Sequence, residues 1–171
     1  MIAEPFVRYS EQKLRQYLER IGICLGKLSD DQIWARGHET ENSAGNLCLH
    51  LSGNIRQWIL SGVAGQPDRR DRDSEFAAHG GFSREELLAR LQSTVDEVCG
   101  VIRGLDAERL SETVHPQGYD LTVLEAVYHI VEHFAYHAGQ ILFITKAITG
   151  EDLSFYRHLA RNAPSAGEKH P

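Results

Sequence analysis

Apolar residues recur at three- and four-residue intervals in four long stretches of the chain, and each stretch predicts one helix with a buried face. The first runs from about Phe6 to Leu28, where Leu14, Leu18, Ile21, Leu25 and Leu28 share a side. Pro5 stands at its start and Ser29-Asp30-Asp31 breaks it. The second begins at Ser43, a good N-cap, and continues to about Val63. Ala44, Leu47, Leu51, Ile55, Trp58 and Gly62 form its stripe; His50 and Asn54 sit on the stripe's edge, facing inward or into a cleft. The third opens on Ser83-Arg84-Glu85-Glu86, which matches a capping box, and closes at Gly104. The fourth starts near Thr122, with Glu125 three residues on, and continues to about Thr149, where Gly150 is a natural stop. It is apolar almost all round, which predicts a deep position in the fold. No stretch reads as a strand, so the pattern is all-α.

The segments between these helices are polar. Ser29 to Asn42 carries Trp34, expected to tuck against the bundle. Residues 64–82 form a link too long for two adjacent antiparallel helices, which predicts a crossover or a lid. Its charge run, Asp68-Arg69-Arg70-Asp71-Arg72-Asp73, reads most simply as a solvated loop, with a substrate role as the lesser alternative. Residues Phe155 to Arg161 suggest a last short turn, which bounds the bundle at 1–161. The tail from Asn162 to Pro171 reads as disordered.

Composition narrows the function classes. A length of 171 residues with 42 % hydrophobic and 25 % charged residues is ordinary for a soluble globular protein. The net charge is −6 and no cluster of Lys and Arg interleaves with aromatics, which argues against nucleic acid. The first residues lack the basic and apolar regions of a signal peptide, and no apolar run is long enough to span a bilayer. A soluble, cytoplasmic protein without a membrane partner is the expectation. Cys24, Cys48 and Cys99 are scattered through predicted helices and read as buried free thiols in a reducing compartment.

The chemistry is concentrated in histidine. His129, His133 and His137 stand four apart within the fourth helix. Chance would produce such a triple only roughly 0.02–0.03 times in a chain with this histidine content. Imidazoles four apart share a helix face and suit chelation of one ion. His129 and His137 lie roughly 12 Å apart along the axis and cannot share it. The pair is therefore His129/His133 or His133/His137, and spacing does not choose. His50 from the second helix closes a three-nitrogen set in either case. Three neutral imidazoles leave coordination positions open, as in catalytic rather than structural sites, and suit zinc, nickel or iron(II). A zincin protease is demoted because Phe134 stands where its general-base Glu would follow the first histidine. Asn54, one turn beyond His50, and Gln140, one turn beyond His137, are candidates to orient a ligand or touch a substrate. Tyr128 and Tyr136 read as packing residues. His38, His79, His158 and His170 read as surface groups.

The segment His133-x-x-x-His137-Ala138-Gly139-Gln140, late in a four-helix chain of this size, resembles the signature of the DinB-like metal-binding proteins. Asn46-Leu47-Cys48-Leu49-His50-Leu51 is similar to the second-helix motif of that family. Asn54-Ile55-Arg56-Gln57-Trp58-Ile59, followed by the Arg-Asp-Arg-Asp link, is similar to one bacterial subfamily without an assigned function. The resemblance covers roughly residues 6–160. It implies a four-helix bundle in up-down-down-up order, with the long link as the crossover between helices two and three, and often a homodimer. It implies His50, His133 and His137 as metal ligands and leaves His129 outside that set. Ala138 replaces the family's usual basic residue after the second helix-four histidine.

An open metal site and a thiol-using branch of the family together predict a metal-dependent enzyme, a thiol S-transferase acting on electrophiles, whose partner is a low-molecular-weight thiol. One alternative is a hydrolase that uses a metal-activated water. Another is a non-catalytic metal-binding or interaction protein.

Overall fold

Four N-terminal caps decide where most of the helices begin. In the computed structural model, which describes residues 2–159, α1 spans Ala3–Leu25, α2 Asp30–Trp34, α3 Ala44–Ile55, α4 Arg72–Ala77, α5 Arg84–Arg103, α6 Ala107–Leu110 and α7 Val123–Thr149. Ser29, Ser43, Ser83 and Thr122 each close a reciprocal capping box, with Gln32, Asn46, Glu86 and Glu125 as the respective partners. Each box satisfies donors that would otherwise be orphaned, worth about 1 kcal/mol. Gly150 ends α7 in the left-handed region, at φ 68°, as expected.

The long helices α1, α3, α5 and α7 form a four-helix bundle in up-down-down-up order. Arg15 pairs with Asp96 and Arg103 with Glu11, so α1 and α5 run antiparallel. His50 meets His133 while Trp58 meets His129, so α3 and α7 also run antiparallel. Cys24 lies against Thr145 and Lys27 pairs with Glu151, so α1 and α7 are parallel. Leu14, Ile21, Leu25, Leu47, Leu51 and Phe134 are among the fully buried core side chains. Among the described residues no helix is long and apolar enough to cross a membrane. Burial pushes the Cys48 thiol up to about 12 and the Cys99 thiol up to about 11, which leaves both unreactive near neutral pH.

The link between α3 and α5 is the crossover. It doubles back along α3: Gln57 contacts Asp68, His50 contacts Glu75, and Asn46 Nδ2 donates to the Ala78 carbonyl at 2.8 Å. Arg36 adds bonds to the Phe76 carbonyl at 2.9 Å and the Ala78 carbonyl at 2.6 Å. The strap thus returns the chain to the starting end of α3, which is why α5 runs parallel to α3. Arg70 is a correction to the solvated-loop reading, because its side chain is only 4 % exposed.

Other expectations are refined. Ser29 breaks α1 but also starts α2, whose Ile33 is fully buried while Trp34 is half-buried with Nε1 donating to the Phe82 carbonyl at 3.0 Å. The second predicted helix is not uniform to Val63; after Ile55 it widens into a π-helical turn, Arg56–Ser61. Gly62 follows because a Cβ there would lie 2.5 Å from the Trp58 carbonyl oxygen and 3.0 Å from Pro116. Two short strands, β1 Thr113–Val114 and β2 Leu121–Thr122, pair antiparallel and bracket the His115–Tyr119 turn. Helix α7 is less enclosed than its composition predicts: Tyr128, Tyr136 and Phe143 are exposed. A 3₁₀ turn forms at Arg157–Leu159, while residues 160–171, with His170 and the expected disordered tail, lie outside the described residues.

Candidate metal centre

Helix periodicity carries the site. His50 and Asn54 occupy one face of α3 a turn apart, and His133 and His137 do the same on the antiparallel α7. His50, His133 and His137 each offer a ring nitrogen, and these atoms all lie within 4.8 Å of one another. His50 Nε2 stands 2.9 Å from His133 Nε2. The structure therefore brings His137 rather than His129 to the other two.

Neighbouring groups fix which nitrogen faces inward. Glu75 Oε2 lies 3.1 Å from His50 Nδ1. Arg70 donates to both Glu75 oxygens at 2.8 Å and also lies 3.0 Å from that Nδ1. An ionised carboxylate only accepts, so the hydrogen bond between His50 and Glu75 places the imidazole proton on Nδ1. His50 Nε2 is then left as a lone-pair donor aimed at the cluster. Burial pushes the Glu75 carboxyl up, but the hydrogen bonds from Arg70 and His50 outweigh it, and the group stays ionised below its usual range. His137 Nδ1 lies 2.6 Å from Gln140 Oε1, which likewise leaves its Nε2 free. Carboxylate or amide oxygens behind metal-binding histidines are the common arrangement for setting tautomer and ring direction.

Two of the imidazoles, His133 and His137, are held neutral. Burial drives His133 down to about 3, with His137, His50, His129 and Arg70 adding to the effect. Burial also lowers His137, against the Gln140 hydrogen bond, which raises it. Neutral rings with converging lone pairs are what a divalent ion requires. The donor set therefore fits a metal, and His50, His133 and His137 could hold one.

The remaining directions open onto a cavity of about 490 Å³ whose walls include Asn54, Arg72, Phe76, Gln117, His129 and Tyr136. Phe76 packs its ring 4.7 Å from that of His50. His129 is stacked on Trp58, with centroids 3.8 Å apart and Tyr119 beyond. Burial lowers its pKa as well. Asn54 is 4 % exposed, and its Oδ1 has no hydrogen-bond partner among the described residues. Gln117 takes a left-handed backbone, φ 54° and ψ 22°, which costs a non-glycine residue roughly 1–2 kcal/mol. Its Nε2 donates to Gln57 Oε1 at 2.6 Å. Tyr136, read as a packing residue, is instead an exposed wall residue, and Tyr128 is exposed too. His38, His79 and His158 are on the surface as expected.

Sequence reasoning gave Arg70 and Arg72 only the lesser, substrate alternative of their charge run, and it did not find Glu75 or Phe76. All four lie on the strap, where no periodicity marks an inward side chain. The usable signal is Gly53 in mid-helix: a Cβ there would come within 1.8 Å of Glu75 Oε1 and 3.0 Å of Arg70 Nε. The bare backbone makes room for the ion pair behind His50.

A family model described as "Protein of unknown function (DUF1572)" matches residues 1–161. Solved structures share the fold. One is a conserved protein from Enterococcus faecalis, with a TM-score of 0.70 and 15 % identity over 84 % of this chain and 97 % of that one. Another is a DinB-like protein from Bacillus subtilis, with a TM-score of 0.66 and 16 % identity over 86 % of this chain and 97 % of that one. At such identities the likeness is one of fold. No curated protein matches the sequence.

Proposed function

The chain belongs to the DUF1572 family of proteins of unknown function, so its activity has to be argued from the site, and we propose that it is a metal-dependent enzyme that transfers a low-molecular-weight thiol to an electrophile. The observation that carries the reading is the three-histidine cluster, with its nitrogens converging from two helices and its open side facing a cavity. Zinc, nickel or iron(II) suits this donor set and, when bound, supplies a Lewis acid that favours a thiolate over a thiol near neutral pH. His50, His133 and His137 are its proposed ligands. Glu75 and Gln140 keep two of these rings in the tautomer that offers Nε2.

In the transfer, the thiol proton leaves to solvent through the cavity mouth. The sulfur then bonds to the electrophilic carbon, and the leaving group departs with its electron pair. The cavity walls bind and orient the two reactants. No carboxylate lines the cavity as a base for water, which ranks a hydrolase below a transferase. A reducing cytoplasm, where such thiols occur, is the compartment this reading implies, and a homodimer is the assembly its DinB-like resemblance implies.

The test uses protein without a histidine tag, metal-loaded and chelator-stripped, with glutathione, bacillithiol or mycothiol and a bromoalkyl electrophile. Mass spectrometry should detect the conjugate only with metal present and only with His50 intact. Turnover that survives both chelation and His50→Ala would sink the proposal. Hydrolysis across an ester and amide panel with no thiol conjugation would favour the water-activating reading. A melting temperature that falls on chelation, with no turnover on either panel, would favour a non-catalytic metal-binding role.

A further inference from the structure

The cavity above the three histidines carries a charge pattern that the metal reading does not use. The chain as a whole is acidic, with a net charge of −6, yet none of the residues lining this cavity is Asp or Glu. Two are arginines. Arg70 is compensated: it makes a two-pronged pair with Glu75, at 2.8 Å from each oxygen, and gives Nη1 to Gln57 Oε1 at 2.9 Å. Arg72 is different. Its guanidinium lies over the ring of Phe76, 4.8 Å from the centroid, and among the described residues no ion pair involves it. Phe76 in turn lies 4.7 Å from His50. One exposed guanidinium, outside any ion pair among the described residues, thus stands two ring contacts away from the histidine cluster, at the wall of the same cavity. On another wall stands Asn54, buried, with an acceptor oxygen that has no partner among the described residues.

We infer that the cavity binds a small organic carboxylate, whose carboxyl group pairs with Arg72 and whose N–H or O–H donates to Asn54 Oδ1, while its other end reaches the histidines. A single planar guanidinium matches a carboxylate in charge and in its forked geometry. Phe76 holds that fork in place by its face, which lowers the entropy lost when an anion docks. A phosphate dianion would call for more donors than the single guanidinium that, among the described residues, lines this cavity without an ion pair. Asn54 adds selectivity, since a buried acceptor left unpaired penalises any ligand that lacks the matching donor. In combination with the proposed thiol chemistry, on which only the identity of the far end rests, the ligand is an acylated amino acid or peptide-like molecule that carries both a thiol and a carboxylate.

Isothermal calorimetry on the full chain, metal-loaded and metal-free, tests this with four matched probes: N-acetylcysteine, its carboxamide, N-acetylalanine and its carboxamide. The carboxylates should bind about ten-fold tighter than their carboxamides. Arg72→Gln should abolish that preference and leave carboxamide binding unchanged, while Arg69→Gln, which removes the same charge from a strap residue that does not line this cavity, should leave the preference intact. Equal binding of acid and amide, a preference that survives Arg72→Gln, or no binding by any probe would overturn the inference. The thiol axis is separate. If the alanine and cysteine acids bind alike in the metal-loaded protein, the thiol reading fails while the carboxylate site stands.

Discussion

Asn54, buried, and His133, half-buried, each hold a polar group in the state the site needs, at a cost to stability. The unpartnered Oδ1 of Asn54 costs the folded state about 1 kcal/mol or somewhat more. Asn54→Leu, of similar volume, should raise the melting temperature of the metal-free protein by roughly 2–4 °C while it weakens ligand binding, as scanning calorimetry and titration on one preparation will show. His133 makes stability depend on pH. An unfolded imidazole titrates near 6.5, whereas the folded one resists protonation down to about 3. Between those values the unfolded chain binds more protons, so the stability of the metal-free protein falls as pH drops through that window. Denaturant midpoints measured with a chelator at pH 7, 5.5 and 4.5 should decline, and His133→Gln should decline less. A slope unchanged by the substitution would contradict the assignment.

At the scale of elements, the strap and α3 fit together because of one missing side chain. Helix propensity alone favours alanine over glycine by roughly 0.5–1 kcal/mol, so Gly53→Ala ought to stabilise α3. The new Cβ would instead collide with Glu75. The expected outcome is a loss of about 1–3 kcal/mol, as in other overpacked interiors, together with weaker metal binding, measured by urea titration and metal competition. A stabilised variant with unchanged affinity would show that Glu75 does not orient His50. This contact also marks the limit of what sequence could reveal. The helices were legible because their caps and three-four periodicity are local, and His50, His133 and His137 were legible because helix spacing converts directly into distance. Arg70, Arg72, Glu75 and Phe76 were not, because an irregular strap acquires its inner face only when it lies on α3. The π-helical turn at Arg56–Ser61 was hidden for a related reason: its side chains pack on residues distant in sequence, Trp58 on His129, and the apolar stripe is the same for either helix type.

At the scale of the whole molecule, the histidine cluster ties α3 to α7, and Glu75 extends that tie to the strap. A ligand ion bound there stabilises only the folded chain. At a hundred times its dissociation constant it would add about 2.7 kcal/mol, so stripping the metal should lower the melting temperature by roughly 5–10 °C. The same treatment of His50→Ala should produce almost no shift. The strap has a wider consequence. It contributes the partner of His50, the aromatic ring beside it and the free guanidinium, yet it supplies little to the packing among the four long helices. Part of what chooses the molecules that approach the histidines, Arg72 and Phe76, is therefore carried on a cartridge separate from the helices that hold the histidines and Asn54, and a new taste could be fitted to this scaffold by rewriting some ten consecutive residues.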